Sequence, residues 1–288
     1  MRKLRDLLKN IKTKLRKKHV FIIICLAAIV AFLIIGIDHK LMVTYYEIGT
    51  DKVDAPIRIA FLADLHNSFF GENQEILISM LERQNPDIIV MSGDMSDEYT
   101  SLDATVKMLG GLKGKSNCFY VIGNHEAWTG EVVQIKKLFR EYGVTVLDGQ
   151  NVVVDINGQL INICGVDDPE IGRAIFERQL ESAFASIDED LYTVFLFHKP
   201  ELFTRMSEYS FDLMLSGHAH GGQWRIPHII NGLYSPGQGL FPKYTSGVYY
   251  SENNQMIVSK GLSLTLPPPI VPRIFNPPEI VIIDLIPN

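Results

Sequence analysis

Five apolar runs of strand character each end in residues able to bind a metal or move a proton. Arg58 to Ala63 leads into Asp64-Leu65-His66, and Asp87 to Ser92 leads into Gly93-Asp94. Cys118 to Ile122 leads into Gly123-Asn124-His125-Glu126, Val194 to Phe197 into His198, and Asp212 to Ser216 into Gly217-His218-Ala219-His220. Each motif alone is weak, because Asp-x-His arises by chance and Gly-Asp is a common turn. Five in succession are a different matter. Carboxylate, amide and imidazole groups form a mixed nitrogen and oxygen set that suits Mn, Fe or Zn better than Ca, and the lack of thiolates argues against a structural zinc site. Neighbouring strands of a buried sheet bring their carboxyl ends together, which is where ligands gather in open α/β sheets. The pattern predicts a metal cluster at one sheet edge.

The elements that would position these residues alternate in the first half of the chain. Apolar residues recur at helical spacing over 72–84, 102–112 and 131–142, between the strand-like runs, which is a βαβ texture. From Thr145 onward short strands dominate, at 152–154, 160–164, 192–197, 248–250 and 256–259, interrupted by one helical stretch over 169–185. Together they predict an α/β protein of two sheets packed face to face with helices outside. A Pro-rich piece, 267–278, reads as an ordered surface loop because an apolar strand follows it.

Charge is strongly divided. The first 18 residues hold nine Lys/Arg against one acid, Asp6, and the rest of the chain holds 18 basic and 32 acidic residues. A body that acidic is poorly suited to nucleic-acid polymers, whose phosphates need Lys and Arg. Val20 to Ile37 is an uncharged run of 18 residues, near the lower limit of about 17–25 for a membrane-spanning helix. A cleaved signal would have a shorter apolar core and a small-residue cleavage site, and a buried core helix would carry polar interruptions. The run is therefore read as a transmembrane anchor over 20–37, after a basic tail at 1–19 and before a juxtamembrane link at 38–56 and a domain at 57–288. The positive-inside bias places the tail in the cytoplasm and the body outside it. Cys25 lies in the anchor, while Cys118 and Cys164 lie in apolar runs and read as small buried hydrophobes.

The ordered set Asp64-x-His66, Gly93-Asp94, Gly123-Asn124-His125-Glu126, His198 and Gly217-His218-x-His220 resembles the calcineurin-like metallophosphoesterase family. It is most similar to the membrane-associated bacterial branch, through His218 to Gln223 and the late Pro277-Pro278-Glu279. The resemblance spans about 57–284 and implies a four-layer αββα sandwich of two mixed sheets. It also implies two divalent metal ions, one held by Asp64, His66, Asp94 and His220, the other by Asp94, Asn124, His198 and His218. In that scheme Asp94 bridges, a hydroxide between the metals attacks phosphorus, and His125 protonates the departing oxygen. An imidazole titrates near neutrality and suits that last task. Glu126 would orient a ligand, and Gly217, Gly221 and Gly222 would let backbone approach the metals.

Other candidates have plainer readings. His19 and His39 flank the anchor, and His228 reads as a surface-loop residue. Asp97, Asp167 and Asp168 suit turns and helix caps. Gln223 and Trp224 line a substrate mouth or serve packing, and the aromatics of 241–250 meet a lipid chain or pack in strands. The expectation is a membrane-anchored, single-pass phosphohydrolase acting on a phosphodiester or pyrophosphate, with a lipid or envelope polymer as the favoured substrate. A mononucleotide or cyclic-nucleotide phosphodiesterase and a non-catalytic metal-binding scaffold are the alternatives.

Overall fold

The computed structural model describes residues 2–37, 40–115, 117–252, 254–266 and 271–288, with the side chains of all these except 2–13 and 266. Helix α1 (Arg2–Gly36) takes in the basic tail and the apolar run. Its stretch Lys14–Gly36, 23 residues, is long and apolar enough to cross a membrane and is almost wholly uncovered by the rest of the chain. At about 1.5 Å per residue that stretch spans about 35 Å, against about 30 Å of bilayer hydrocarbon.

After α1 come β1 (Met42–Thr50), β2 (Ile57–Leu62), α2 (Glu75–Gln84), β3 (Ile88–Ser92), α3 (Asp103–Leu112) and β4 (Asn117–Val121). Then follow α4 (Asn124–Trp128), α5 (Val132–Glu141), β5 (Thr145–Val146), β6 (Gln150–Ile156), β7 (Gln159–Gly165), α6 (Arg173–Phe184), β8 (Tyr192–Leu196), α7 (Phe203–Met206) and β9 (Leu213–Ser216). The chain ends with two short pairs, β10 (Tyr234–Ser235) with β11 (Gly239–Leu240) and β14 (Thr265–Leu266) with β15 (Val271–Pro272), and with β12 (Gly247–Tyr250), β13 (Gln255–Val258) and β16 (Glu279–Pro287).

Two six-stranded mixed sheets result, ordered β1-β16-β2-β3-β4-β5 and β12-β13-β9-β8-β7-β6. In the first, β2 to β5 run parallel, and β16 lies antiparallel to β2 and parallel to β1. In the second, β7, β8, β9 and β13 run parallel between antiparallel edges β6 and β12. Strand period 2 sends alternate side chains to opposite faces. Ile59, Phe61, Val90 and Val121 meet Ile161, Val194, Leu215 and Ile257 between the sheets. Ala60, Leu62, Ile89 and Met91 face Leu77, Leu81, Met108, Leu109 and Phe139 of the helices on one side. Phe195 and Met214 face Phe176, Leu180 and Met206 on the other. Because both faces of each central strand are covered, those strands read as continuous apolar runs. The four layers are helices, sheet, sheet, helices.

One boundary differs from the sequence reading. The segment 38–56, expected as a link, contains β1, which pairs with β16 from Met42↔Glu279 to Thr50↔Pro287. As an edge strand its side chains are mostly half-exposed, only Ile48 being buried, so Met42–Thr50 lacks the apolar run of a central strand. Two helices also start later than expected. Gln74, at φ 62, turns its side-chain oxygen back onto the Phe70 N–H and delays α2 to Glu75, while Gly172, at φ 111, separates a 3₁₀ turn at Pro169–Ile171 from α6. Of the Pro-rich piece, 267–270 lies outside the described residues; Val271–Pro272 is strand β15.

Candidate metal centre

Five connections leave the carboxyl ends of β2, β3, β4, β8 and β9 and meet at the junction of the two sheets. Each must turn sharply, since the parallel strand ends where the side chain is needed. Asp64 (φ 52), His66 (φ 44), Asp94 (φ 54), His218 (φ 65) and His220 (φ 47) all have left-handed backbone. That conformation costs an L-residue on the order of 1–2 kcal/mol, and its clustering here marks a site where geometry outranks local preference. Gly217 packs against Asp64 so closely that a Cβ there would sit 2.5 Å from Asp64 Oδ2. Gly93, at φ 88, would place one 2.6 Å from the Gly123 nitrogen.

The predicted ligands converge in two groups that share the Asp94 neighbourhood. Ligand atoms of Asp64, His66 and His220 all lie within 4.8 Å of one another, as do those of Asp94, His198 and His218, and those of His66, Asp94 and His125. His198 Nε2 is 2.9 Å from Asp94 Oδ2, His66 Nε2 is 3.7 Å from the same oxygen, and His220 Nε2 is 3.8 Å from Asp64 Oδ1. All are buried, and Asn124 with them. Among the described residues, both ring nitrogens of His66 and Asn124 Oδ1 have no hydrogen-bond partner, and Asp94 Oδ2 and His198 Nε2 have none but each other, at 2.9 Å. Buried polar atoms without partners are rare and costly, and here they cluster where the carboxylates and imidazoles converge. The donor set and the orphaned atoms fit divalent cations; exposed acidic clusters show neither feature.

Electrostatics give the same picture. Burial pushes the Asp64 carboxyl up to about 7, against the opposing charge of His198, and pushes Glu126 up to about 7 with help from Asp94. Burial also drives His66 down to about 3. His198 goes the other way: burial opposes its charge, yet Asp94, Asp64 and Asp168 together carry it up to about 10. Buried carboxyls pushed up and buried imidazoles driven apart in this way are what a ligand cluster shows without its cation charge.

Supporting contacts hold the ligands from behind. His198 Nδ1 faces the Ser92 carbonyl at 2.7 Å, and His220 Nδ1 faces Ser263 Oγ at 3.0 Å. Glu126 accepts from the backbone N–H groups of Asp94, Ser96 and Gly123, each at 2.8 Å, so one carboxylate ties two strand-end loops together. Asp64 Oδ1 accepts the His218 N–H (2.9 Å), and Asp94 Oδ1 accepts the His125 N–H (2.9 Å). His125 is half-buried, stands edge-on to His66 at 4.6 Å, and places Nδ1 2.7 Å from Glu98 Oε2.

The plainer readings divide. Asp97 accepts the N–H groups of Tyr99 and Thr100, and Asp168 caps the 3₁₀ turn through the Glu170 N–H, as expected. Asp167 is different: it is fully buried and pairs with Lys136 at 2.5 Å and Gln179 at 2.7 Å. His19 and His228 are exposed, and His39 lies outside the described residues. Sequence reasoning missed Glu98, Ser263 and Arg273. Arg273 is 1% exposed and donates to Ser263 Oγ (3.0 Å) and to the Lys260 carbonyl (2.7 Å). No local pattern marks them: Ser263 and Arg273 reach the site from loops far along the chain, and Glu98, in the Asp94 loop, meets His125 only in the fold.

With this geometry in place, comparison with known proteins adds the family. The calcineurin-like phosphoesterase profile matches residues 57–222. The chain belongs to that family. It is 33% identical over 255 residues to an uncharacterized metallophosphoesterase of Aquifex aeolicus, covering 85% of this chain and 92% of that one. It is 28% identical to the uncharacterized metallophosphoesterase YkuE of Bacillus subtilis (79% and 78% covered) and 28% identical to a bovine transmembrane protein with metallophosphoesterase domain (67% and 49% covered). Among solved structures, a phosphopantetheinyl hydrolase from Mycobacterium tuberculosis superposes with a TM-score of 0.49 at 15% identity, covering 73% of this chain and 92% of that one. That likeness is too distant to speak about substrate. The protein is a metal-dependent phosphoesterase of this family.

Proposed function

We propose that this phosphoesterase is a two-metal phosphohydrolase, anchored by α1, that cleaves a phosphodiester or pyrophosphate bond of a lipid or cell-envelope substrate outside the cytoplasm. The observation that supports the two-metal reading is a pair of buried groups, Asp64–His66–His220 and Asp94–His198–His218, side by side with His66 Nε2 3.7 Å from Asp94 Oδ2. Asp64, His66, Asp94 and His220 would hold one ion and Asp94, Asn124, His198 and His218 the other, with Mn, Fe or Zn suited to the donors. Bound there, two cations supply an acidified water as nucleophile and neutralise charge building on the phosphoryl oxygens.

The chain's own groups do the rest. Asp94 is locked by Glu126 through its backbone and by His125 through its Oδ1, so its free Oδ2 faces His66 and His198. His125 stands beside the proposed ligands without joining either complete set and is oriented by Glu98; against burial, Asp94 and then Glu98 favour its protonated form. That placement suits donation of a proton to the leaving oxygen. Membrane attachment is supported by the uncovered Lys14–Gly36 helix, and the outward orientation by the basic tail.

The test uses the full chain in detergent, stripped of metal and reloaded with Mn²⁺, Fe²⁺ or Zn²⁺. Bis(p-nitrophenyl) phosphate should be hydrolysed faster than the mono-ester, and Asp94→Asn should abolish both activities. A reversed ester preference would replace the diesterase reading with a phosphomonoesterase.

A further inference from the structure

The metal-bearing edge and the end of α1 lie on the same side of the molecule. β1 runs parallel to β16, with Met42 opposite Glu279, and β16 runs antiparallel to β2, with Val281 opposite Phe61. The starts of β1 and β16 therefore lie level with the end of β2, just before Asp64. The Glu279 N–H bonds the Gly261 carbonyl (3.1 Å), and Gly261 packs on Asp64. The end of α1 reaches the same edge directly: the Phe275 N–H bonds the Gly36 carbonyl (2.6 Å), and the Phe275 ring packs on Phe32 at 5.0 Å.

A cavity of about 310 Å³ opens at this place, lined by Thr44, Tyr46, Arg225, Ser246, Lys260 and Phe275, with Glu279 at its wall. It contains none of the metal ligands. Glu279 is already occupied, accepting from Lys260 Nζ (2.9 Å), the Lys260 N–H (2.8 Å) and Thr44 Oγ1 (2.5 Å). Arg225 is not neutralised in this way. Its guanidinium donates to Ser246 Oγ (2.5 Å) and Asn231 Oδ1, both uncharged. The cavity thus holds Arg225, Lys260 and Glu279, a net of one positive charge, with a half-buried guanidinium that feels the Glu279 charge but makes no ion pair among the described residues, together with hydroxyl groups. The connection bearing Arg225 exposes Trp224, Ile229, Leu240 and Phe241, at 40, 79, 67 and 66%. Trp224 lies on the segment that touches α1, bridging Ile274 and donating to the Pro272 carbonyl (2.9 Å). Exposed Trp and aliphatic side chains beside a spanning helix are the composition of a membrane-interface belt.

We propose that this cavity binds the phosphate of an anionic phospholipid headgroup and so holds the metal-bearing edge against the bilayer surface. A guanidinium with hydroxyl neighbours recognises a phosphodiester by charge-assisted hydrogen bonds, and the exposed apolar residues enter the interface around it. The proposal rests on α1 as a membrane anchor and deepens the functional reading, because an active edge turned to the bilayer takes its substrate from the membrane.

The test is native mass spectrometry of the full chain in detergent, treated with EDTA so that the metal centre cannot hold phosphate. Retained phosphatidylglycerol is compared with retained phosphatidylcholine, with and without inorganic phosphate. Phosphatidylglycerol should be retained selectively. Arg225→Gln, which leaves the Lys260–Glu279 pair intact, should weaken retention at least about ten-fold. Ser246→Phe, which fills the cavity and keeps its charges, should do the same, with thermal unfolding of both variants confirming that they fold. Equal retention by wild type and both folded variants would overturn the proposal. Displacement of the lipid by millimolar inorganic phosphate would overturn the lipid assignment in favour of a free anion. Because the readout needs neither metal nor turnover, it stands or falls apart from the hydrolase reading.

Discussion

His125 and Ser263 show how differently two residues beside the same cluster should behave. His125 reaches the ligand edge but has Glu98, not an orphaned lone pair, as its partner. His125→Ala should keep both ions yet lower kcat by roughly 10²–10⁴ on an alkyl phosphodiester, whose leaving oxygen needs a proton. On an aryl ester with a good leaving group the loss should be far smaller, and steady-state kinetics on the two substrates checks this. Equal losses would remove the proton-donor role. Ser263 fixes the His220 ring from behind, so Ser263→Ala should weaken metal affinity about 10-fold or more, read by competition with a chromogenic chelator. At this scale the sequence marked every proposed ligand, because each follows a legible strand. It hid Ser263 and Arg273, which reach the site from loops far along the chain, and Glu98, whose pairing with His125 exists only once the loops after β3 and β4 meet.

Elements carry the next level of the account. Central strands β2, β3, β4, β8 and β9 were readable as apolar runs because both their faces are covered, and the same runs pointed to the proposed ligands at their ends. β1 was not readable, since an edge strand half open to water alternates weakly. A soluble fragment starting at 57, which respects the sequence-based boundary, should lose nine residues of pairing with β16 and expose that strand's edge. It should aggregate or unfold at lower temperature than a fragment starting at Lys40, as light scattering during a thermal ramp would reveal. Equal behaviour would make β1 dispensable. The helix α5 makes a second prediction. Lys136 is the cation facing buried Asp167, and Lys136→Met should cost about 3–5 kcal/mol by stranding that carboxylate, measured by urea unfolding.

Over the whole molecule, the apolar helix α1, the acidic body and the candidate metal edge form one arrangement. Cys118 on β4 and Cys164 on β7 lie buried on the helix-facing sides of the two sheets, and burial raises both thiols, Cys118 to about 11. Iodoacetamide at pH 8 should leave both unmodified until the protein is denatured; peptide mapping that finds Cys118 or Cys164 labelled in the native chain would contradict the packing described. The two-sheet sandwich was foreseeable from the order of strand and helix patterns together with the family resemblance. That the metal edge faces the helix end was not, because it depends on β1 joining β16 across nearly the full length of the chain.

The proposed chemistry depends on two cation sites sharing Asp94. Metal content of the full chain, purified, loaded with Mn²⁺ and freed of excess, tests it most directly by elemental analysis against protein concentration. About two ions per chain are expected, falling below one in Asp94→Asn because both proposed sites lose a ligand. Fewer than one ion in the wild-type protein, or an unchanged content in Asp94→Asn, would contradict it.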